Sequence, residues 1–150
     1  MFFYVPAILV LLIDQLSKII IRATLAVGDT IYIGSIKLTH YENAGMAFSL
    51  FQGYARLFAV VAILFVLGIL YFRMHEAPVA KLLNLALGFL AGGAAGNAID
   101  RIVFGRVTDF LVSRSGNGIL NFADHAINVG IVLLVLHGIV QVVARRRGSR

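Results

Sequence analysis

Two short stretches of the sequence each place an aspartate three residues after an asparagine, at the boundary of a long apolar segment. Asn97 precedes Asp100 at the end of one segment, and Asn121 precedes Asp124 at the start of the next. If both segments cross a bilayer, the two carboxylates emerge on the same side and can meet. Carboxylates held together in a partly dry site share a proton, and the ionised member can activate a water molecule. The pattern predicts Asp100 and Asp124 as the catalytic pair of an aspartic hydrolase that needs no metal or other cofactor.

The composition indicates that this pair lies at the edge of a membrane. Of the 150 residues, 60% are hydrophobic and 13% are charged, and the mean hydropathy is +0.93. A soluble domain of this length could not bury so much apolar surface. Apolar runs that can cross ~30 Å of hydrocarbon at ~1.5 Å per residue lie at about 3–25, 56–73, 81–100 and 124–143.

The expected fold class is therefore a mainly α membrane protein, a bundle of four transmembrane helices with a small extracytoplasmic β-sheet. Residues 1–150 form a single integral membrane domain in this prediction, with extracytoplasmic loops at about 26–55 and 101–123. The formal charge of +6 resides mainly at span ends and in loops. Its densest cluster is in the C-terminal tail, where anionic phospholipid head groups are a simpler partner than nucleic acid. This cluster favours a cytoplasmic location for both termini. The members of the cluster are Arg145, Arg146, Arg147 and Arg150.

Charged residues also lie within the first span. Asp14, Lys18 and Arg22 are spaced four residues apart, which places them on one stripe of a helix. One interpretation is an Asp14–Lys18 pair within the helix that merely tolerates membrane depth. The other is a stripe that faces a polar cavity, where Asp14 orders the site.

The third span carries a second stripe. Gly88, Gly92 and Gly96 recur every four residues, and Asp100 takes the next step on the same face. Small residues at this spacing allow another helix to approach closely. The glycines are thus predicted to form a packing face that ends at the proposed site.

The two extracytoplasmic loops are predicted to contain strands. Ile31, Ile33, Ile36 and Leu38 alternate with polar or small residues around the turn at 34–35, which indicates a hairpin. A turn follows at Asn43 and Gly45. Residues 107–112 form a further expected strand and 115–118 a turn, and Arg101 and Asp109 are expected to pair in this loop.

The start of the fourth span allows a simpler explanation. Asn121 at a helix N-cap with an acid at the third helical position is an ordinary capping arrangement. The membrane face that Asp124 shares with Asp100 favours the catalytic interpretation. Asn128, one turn further along, is expected to point into the bundle as an additional polar group.

These motifs closely resemble the bacterial lipoprotein signal peptidase family, also called type II signal peptidases. They occur in the family's order across nearly the whole chain, and their specificity comes from the combination. The matching segments are 14–18 (DQLSK), 43–48 (NAGMAF), 96–101 (GNAIDR), 107–110 (VTDF) and 121–124 (NFAD).

The resemblance implies an aspartic endopeptidase of the bacterial cytoplasmic (inner) membrane. Members of the family that it resembles cleave the signal peptide of a prolipoprotein just before a diacylglyceryl-modified cysteine and are inhibited by the cyclic peptide globomycin. By the same resemblance, Asp100 and Asp124 match the catalytic pair. The positions that match supporting or other motif residues are Asp14, Lys18, Asn43, Gly45, Asn97, Arg101, Asp109 and Asn121.

Two positions depart from the family pattern. Leu120 stands where an aromatic residue is usual, and His125 stands where a small residue is common. An imidazole beside Asp124 would bear on the pH optimum. Two alternative functions remain open on the residues alone: a small ion or proton carrier, and a non-enzymatic membrane assembly subunit that uses the glycine stripe.

Overall fold

The computed structural model describes residues 1–45, 51–76, 79–114 and 118–148. Its helices are α1 (Tyr4–Thr24), α2 (Ala55–His75), α3 (Lys81–Val103) and α4 (Phe122–Gly148). Its strands are β1 (Thr30–Ile33), β2 (Ile36–Asn43), β3 (Val107–Val112) and β4 (Ile119–Leu120). All four helices are long and apolar enough to cross a membrane. The predicted fold class is therefore confirmed, and the four helices coincide with the four predicted apolar runs except for a few residues at their ends.

Helix α3 is the centre of the bundle. In its most apolar window 61% of the residues are buried, whereas the corresponding windows of the other three helices are 11–22% buried. Helix α3 packs against α1, α2 and α4. The outer faces of α1, α2 and α4 expose leucine, isoleucine, valine and phenylalanine side chains, as expected of surfaces that contact lipid.

The predicted glycine stripe is the surface on which α1 packs. A methyl group at Gly88 would lie 2.5 Å from the carbonyl oxygen of Phe3, and one at Gly92 would lie 2.6 Å from that of Ala7. Such distances leave no room for a side chain, so the backbones of α1 and α3 are in direct contact. A methyl group at Gly96 would lie 2.5 Å from the Asp14 carboxylate, so the charged stripe of α1 lies at the polar end of α3.

The extramembrane segments form one antiparallel sheet in the order β1-β2-β3-β4. The predicted hairpin is present, with Ile33 paired to Ile36 and Gly34 in the left-handed region at φ +59°. The predicted strand at 107–112 is also present, whereas the short strand β4 was not predicted. Parts of two predicted features, residues 46–48 of the 43–48 motif and residues 115–117 of the turn at 115–118, lie outside the described residues.

The sheet places β3 against the end of the helix bundle. Tyr41 of β2 pairs with Asp109 of β3, after an irregularity in the register between Leu38 and Tyr41. Residues 107–110 are all buried, although they belong to the loop that connects α3 and α4. The chain therefore packs against the end of the bundle after it leaves α3, and Asp109 lies at the polar end of the bundle.

Candidate active site

Asp124 is fixed at the first turn of α4 by Asn121. The Asn121 side-chain oxygen accepts a hydrogen bond from the backbone N–H of Asp124 at 2.9 Å, and Asp124 Oδ2 accepts one from the Asn121 N–H at 3.1 Å. This reciprocal pair is a capping box, so the capping explanation of the motif is correct. The other oxygen, Asp124 Oδ1, accepts a hydrogen bond from the side-chain amide of Asn97 at 2.8 Å. The carboxylate remains only partly buried.

Asp109 shares Asn121 with Asp124. Its Oδ1 accepts a hydrogen bond of 2.6 Å from the side-chain amide of Asn121, and its Oδ2 accepts one of 3.1 Å from Asn43. Asp109 is 3% exposed. Burial, followed by the negative charge of Asp124, raises the pKa of Asp109 to about 7, against the smaller opposing effect of its amide donors. Asp109 can therefore hold a proton near neutral pH while a second carboxylate lies close by.

Asp100 has a different environment. It is completely buried, and its Oδ2 lies 3.0 Å from Lys18 Nζ and accepts a hydrogen bond from the Thr108 N–H at 3.2 Å. Its Oδ1 lies 3.4 Å from Arg22. Asp100 is thus held as a counter-ion of the α1 cations, which is the usual requirement for a buried carboxylate.

The predicted meeting of Asp100 with Asp124 is not the arrangement found. Within the described parts of the chain, no hydrogen bond joins the two carboxylates, and the contacts between them run through Lys18 and Asn97. The physical reason is that the two α1 cations lie against the end of α3 and take up the Asp100 oxygens. The acid that shares a hydrogen-bonding partner with Asp124 is Asp109.

The α1 stripe both pairs internally and faces the site. Lys18 Nζ lies 2.8 Å from Asp14, and both side chains are fully buried. The Asp14 Oδ1 accepts a hydrogen bond of 2.9 Å from the backbone N–H of Ala123. That amide belongs to the first turn of α4, where N–H groups have no partner within the helix. Asp14 therefore fixes the start of α4, and with it Asp124, to α1.

Arg101 joins the segment after β2 to α3. It donates hydrogen bonds to the carbonyl oxygens of Asn97 at 3.3 Å and Gly45 at 3.1 Å. Gly45 in turn donates its N–H to the Asn43 side chain at 3.0 Å, which forms the predicted turn. The expected Arg101–Asp109 ion pair is not among the contacts of the described residues. Arg101 instead holds Asn43 beside Asp109 through the backbone.

One further prediction needs correction, and one residue of the site was not predicted. Asn128 is exposed, so the expectation that it points into the bundle is wrong: the buried stripe of α4 runs through Ala123, Ala126 and Gly130, and Asn128 lies on the other side of the helix. Thr108 was overlooked. It donates its hydroxyl to Glu42 and its N–H to Asp100. An acid within an otherwise apolar strand was the available sequence signal for Asp109, since strands of this kind are usually buried.

Comparison with known proteins agrees with the motif pattern. A family model described as signal peptidase (SPase) II matches residues 6–140. A lipoprotein signal peptidase of Shouchella clausii is 34% identical over 149 residues, covering 98% of this chain and 99% of that protein. The corresponding protein of Fusobacterium nucleatum is 38% identical over 136 residues, covering 88% and 82%. The chain belongs to the signal peptidase II family.

Solved structures give the same result for the fold. A bacterial membrane enzyme superposes with a TM-score of 0.84 at 28% identity, covering 90% of this chain and 85% of the other. A second superposes with a TM-score of 0.79 at 29% identity, covering 89% of each chain. The protein is thus a multi-pass bacterial membrane protein of an aspartic endopeptidase family, as predicted. Family membership sets aside the ion-carrier and assembly-subunit alternatives.

Proposed function

We propose that this signal peptidase II removes the signal peptide from diacylglyceryl-modified prolipoproteins by cleaving before the lipid-modified cysteine. The matched relatives carry the name lipoprotein signal peptidase. The single observation that carries the chemistry is the pair of aspartates around Asn121, one buried and able to hold a proton near neutral pH and the other partly exposed. Such a difference between two neighbouring carboxyl groups is what acid and base catalysis by a carboxylate pair requires.

In this proposal Asp109 and Asp124 form the catalytic pair, and Asp109 takes the role first predicted for Asp100. Ionised Asp124 accepts a proton from a water molecule, whose oxygen attacks the carbonyl carbon of the residue before the cysteine. Protonated Asp109 donates its proton to the carbonyl oxygen, giving a neutral tetrahedral diol. Return of a hydroxyl proton to Asp109 and transfer of the Asp124 proton to the nitrogen break the C–N bond. The products are the peptide acid and the free amine of cysteine.

The amide groups around the pair orient both acids. Asn97 donates to Asp124, while Asn121 and Asn43 donate to Asp109. Every one of these side-chain contacts offers N–H to carboxylate oxygen, so each acid is oriented without a competing acceptor. The reacting water and the scissile carbonyl then occupy the partly exposed side of Asp124.

The position of the pair at one end of the bundle supports the remaining parts of the proposal. Both termini lie in the cytoplasm, and the pair and the sheet lie at the extracytoplasmic face of the inner membrane. A substrate signal helix in the bilayer would present its end at this depth, with its acyl chains among membrane phospholipids. A cyclic peptide inhibitor of the globomycin type would compete for the same site.

The experiment compares three substitutions in purified enzyme with a lipid-modified prolipoprotein in detergent. Asp109→Asn and Asp124→Asn should each lower kcat by about 10³-fold or more, because each removes a proton-transfer group. Asp100→Asn should retain measurable cleavage but lower thermal stability, because it unpairs buried cations. Asp29→Asn, in an exposed turn, is the matched control. The assignment would be contradicted if Asp109→Asn cleaved at the parent rate. It would also be contradicted if Asp100→Asn, although folded, were the one variant of the two that lost cleavage.

A further inference from the structure

A fully buried lysine is linked to the catalytic pair by hydrogen bonds that run in one direction. Lys18 Nζ donates to Asn97 Oδ1 at 2.9 Å, and Asn97 Nδ2 donates to Asp124 Oδ1 at 2.8 Å. Lys18 is 0% exposed and lies between Asp14 at 2.8 Å and Asp100 at 3.0 Å. The ammonium group is therefore held in place by two carboxylates while it contacts the amide.

The chemistry of the ammonium group decides which way the Asn97 amide points. An ammonium group is a donor only, so the Asn97 atom that faces it must be the oxygen. The same oxygen accepts a second hydrogen bond, of 3.1 Å, from Asn121 Nδ2. With Oδ1 occupied by two donors, the NH₂ group is left for Asp124. In the opposite orientation the amide would set NH₂ against NH₃⁺ and an oxygen against the Asp124 carboxylate.

The consequence extends to the second acid. Asn121 Nδ2 uses its other hydrogen for Asp109 Oδ1 at 2.6 Å, and Asn121 Oδ1 accepts the Asp124 N–H. The orientation of Asn97 thereby supports the orientation of Asn121. The donors from Asn97 to Asp124 and from Asn121 to Asp109 are both oriented in this way by one cation on α1.

We propose that Lys18, clamped by Asp14 and Asp100, is a positioning residue that fixes the Asn97 amide so that it donates to the catalytic carboxylate Asp124. The inference rests on the proposed function, since it concerns the same site. It gives Asp100 a role in cleavage through Lys18 and Asn97, not as a group that touches substrate.

The test uses a substitution that keeps the local charge balanced. Asp14, Lys18, Asp100 and Arg22 together have no net formal charge, and the double variant Lys18→Met/Asp100→Asn retains one acid, Asp14, and one base, Arg22, so the set is again neutral. It frees Asn97 to turn its oxygen toward Asp124. We expect kcat to fall about 10- to 100-fold, the loss typical of a small misplacement of a catalytic group, with little change in KM. Lys37→Met, in the exposed hairpin, is the matched lysine control and should leave cleavage unchanged.

The pH profile separates positioning from general loss of stability. Loss of a hydrogen bond to the ionised form disfavours a charged carboxylate. The acid limb of kcat/KM should therefore move to higher pH in the double variant. The charged groups that face Asp124 from neighbouring elements, Asp109 of β3 and Arg101 of α3, are unchanged in this variant. An acid limb at the parent position would overturn the proposal.

A double-mutant cycle with Asn97→Ala completes the design. If Lys18 acts through Asn97, the loss in kcat caused by Lys18→Met/Asp100→Asn should nearly vanish in the Asn97→Ala background. Equal losses in both backgrounds would overturn the positioning role, whether or not the double variant is less stable. Failure of the proposed function has a different signature, because Asp109→Asn or Asp124→Asn would then cleave normally.

Discussion

Asn121 contacts both members of the proposed catalytic pair, donating its side-chain N–H to Asp109 Oδ1 at 2.6 Å and its backbone N–H to Asp124 Oδ2 at 3.1 Å. One residue thus joins β3 to the first turn of α4. It is fully buried, and its side-chain oxygen also caps the helix. The distance between the two acids is therefore set by a helix cap and a strand, not by the ends of two transmembrane helices alone.

Substitution of Asn121 should reduce both activity and stability. Asn121→Ala removes the donor to Asp109 and the cap of Asp124, so kcat should fall about 10²- to 10³-fold, as when a preorganised donor is removed. Loss of the cap should lower the free energy of unfolding by about 1 kcal/mol or more. Cleavage assays and thermal unfolding in detergent measure these effects. Gln141→Ala, an exposed amide on the same helix, is the control, and equal behaviour of the two variants would contradict the role of Asn121.

The raised pKa of Asp109 predicts how stability depends on pH. Its folded value of about 7 lies above the ordinary value of 3.8, so between these values the folded protein binds more protons than the unfolded chain. Below this window Asp109 is protonated in both the folded and the unfolded protein, so its burial carries no cost of a buried charge. As the pH rises through the window, the free energy of unfolding decreases by up to about 1.4 kcal/mol per pKa unit. The Asp109→Asn side chain cannot ionise. The melting temperature of this variant minus that of the parent should therefore be larger at about pH 8 than at about pH 5.

The same group predicts the alkaline side of the activity profile. Because Asp109 must be protonated to donate to the scissile carbonyl, kcat/KM should decrease as pH rises above about 7. His125, which departs from the family pattern, is exposed, and its side chain makes no hydrogen bond to this network among the described residues. His125→Ala should therefore leave the alkaline limb in place, and a shifted limb would mean that the imidazole takes part in the titration.

Gly96 should not tolerate a side chain. A methyl group there would lie 2.5 Å from Asp14 Oδ2, the carboxylate that also accepts the Ala123 N–H. Gly96→Ala should therefore lower the free energy of unfolding by about 1–3 kcal/mol, the usual effect of overpacking. At Gly138 of α4 nothing lies within 4 Å of the added methyl group. Gly138→Ala should be neutral or slightly stabilising because alanine favours the helix, and thermal unfolding of the two variants provides the comparison.

The proposed topology can be tested with cysteines, since the natural chain has none. Lys37→Cys places a thiol in the exposed hairpin, and Glu76→Cys places one at the opposite end of the bundle after α2. A membrane-impermeant maleimide should label the first in intact cells and the second only after permeabilisation. The reverse pattern would place the site in the cytoplasm.

Composition and periodicity were sufficient to predict the bundle, because spans of this length and apolarity have no other stable environment. The hairpin followed from alternation and the turn at Gly34. The catalytic pairing did not follow, because it depends on the register of β2 with β3, which brings Asp109 opposite Tyr41. That pairing is non-local, and nothing near Asp109 in sequence indicates it.

The order of the predicted spans placed Asp100, Asp109 and Asp124 at the same membrane face, but it could not decide which two of them approach each other. That depended on Lys18 and Arg22. Their spacing was visible in the sequence, but the acid on α3 that they neutralise became evident only from the packing of α1 against the glycines of α3.

The central place of α3 has a consequence for how this enzyme can change over time. The other three helices pack against α3, and its tightly packed glycines and its polar end should tolerate few substitutions. The outward-facing side chains of α2 and α4 are mainly exposed apolar groups, and in a lipid environment one aliphatic side chain serves as well as another. Apart from the polar residues of the site, a saturation library should accordingly show a band of intolerance along residues 86–101 and should show that apolar substitutions at outward-facing positions of α2 and α4 are silent.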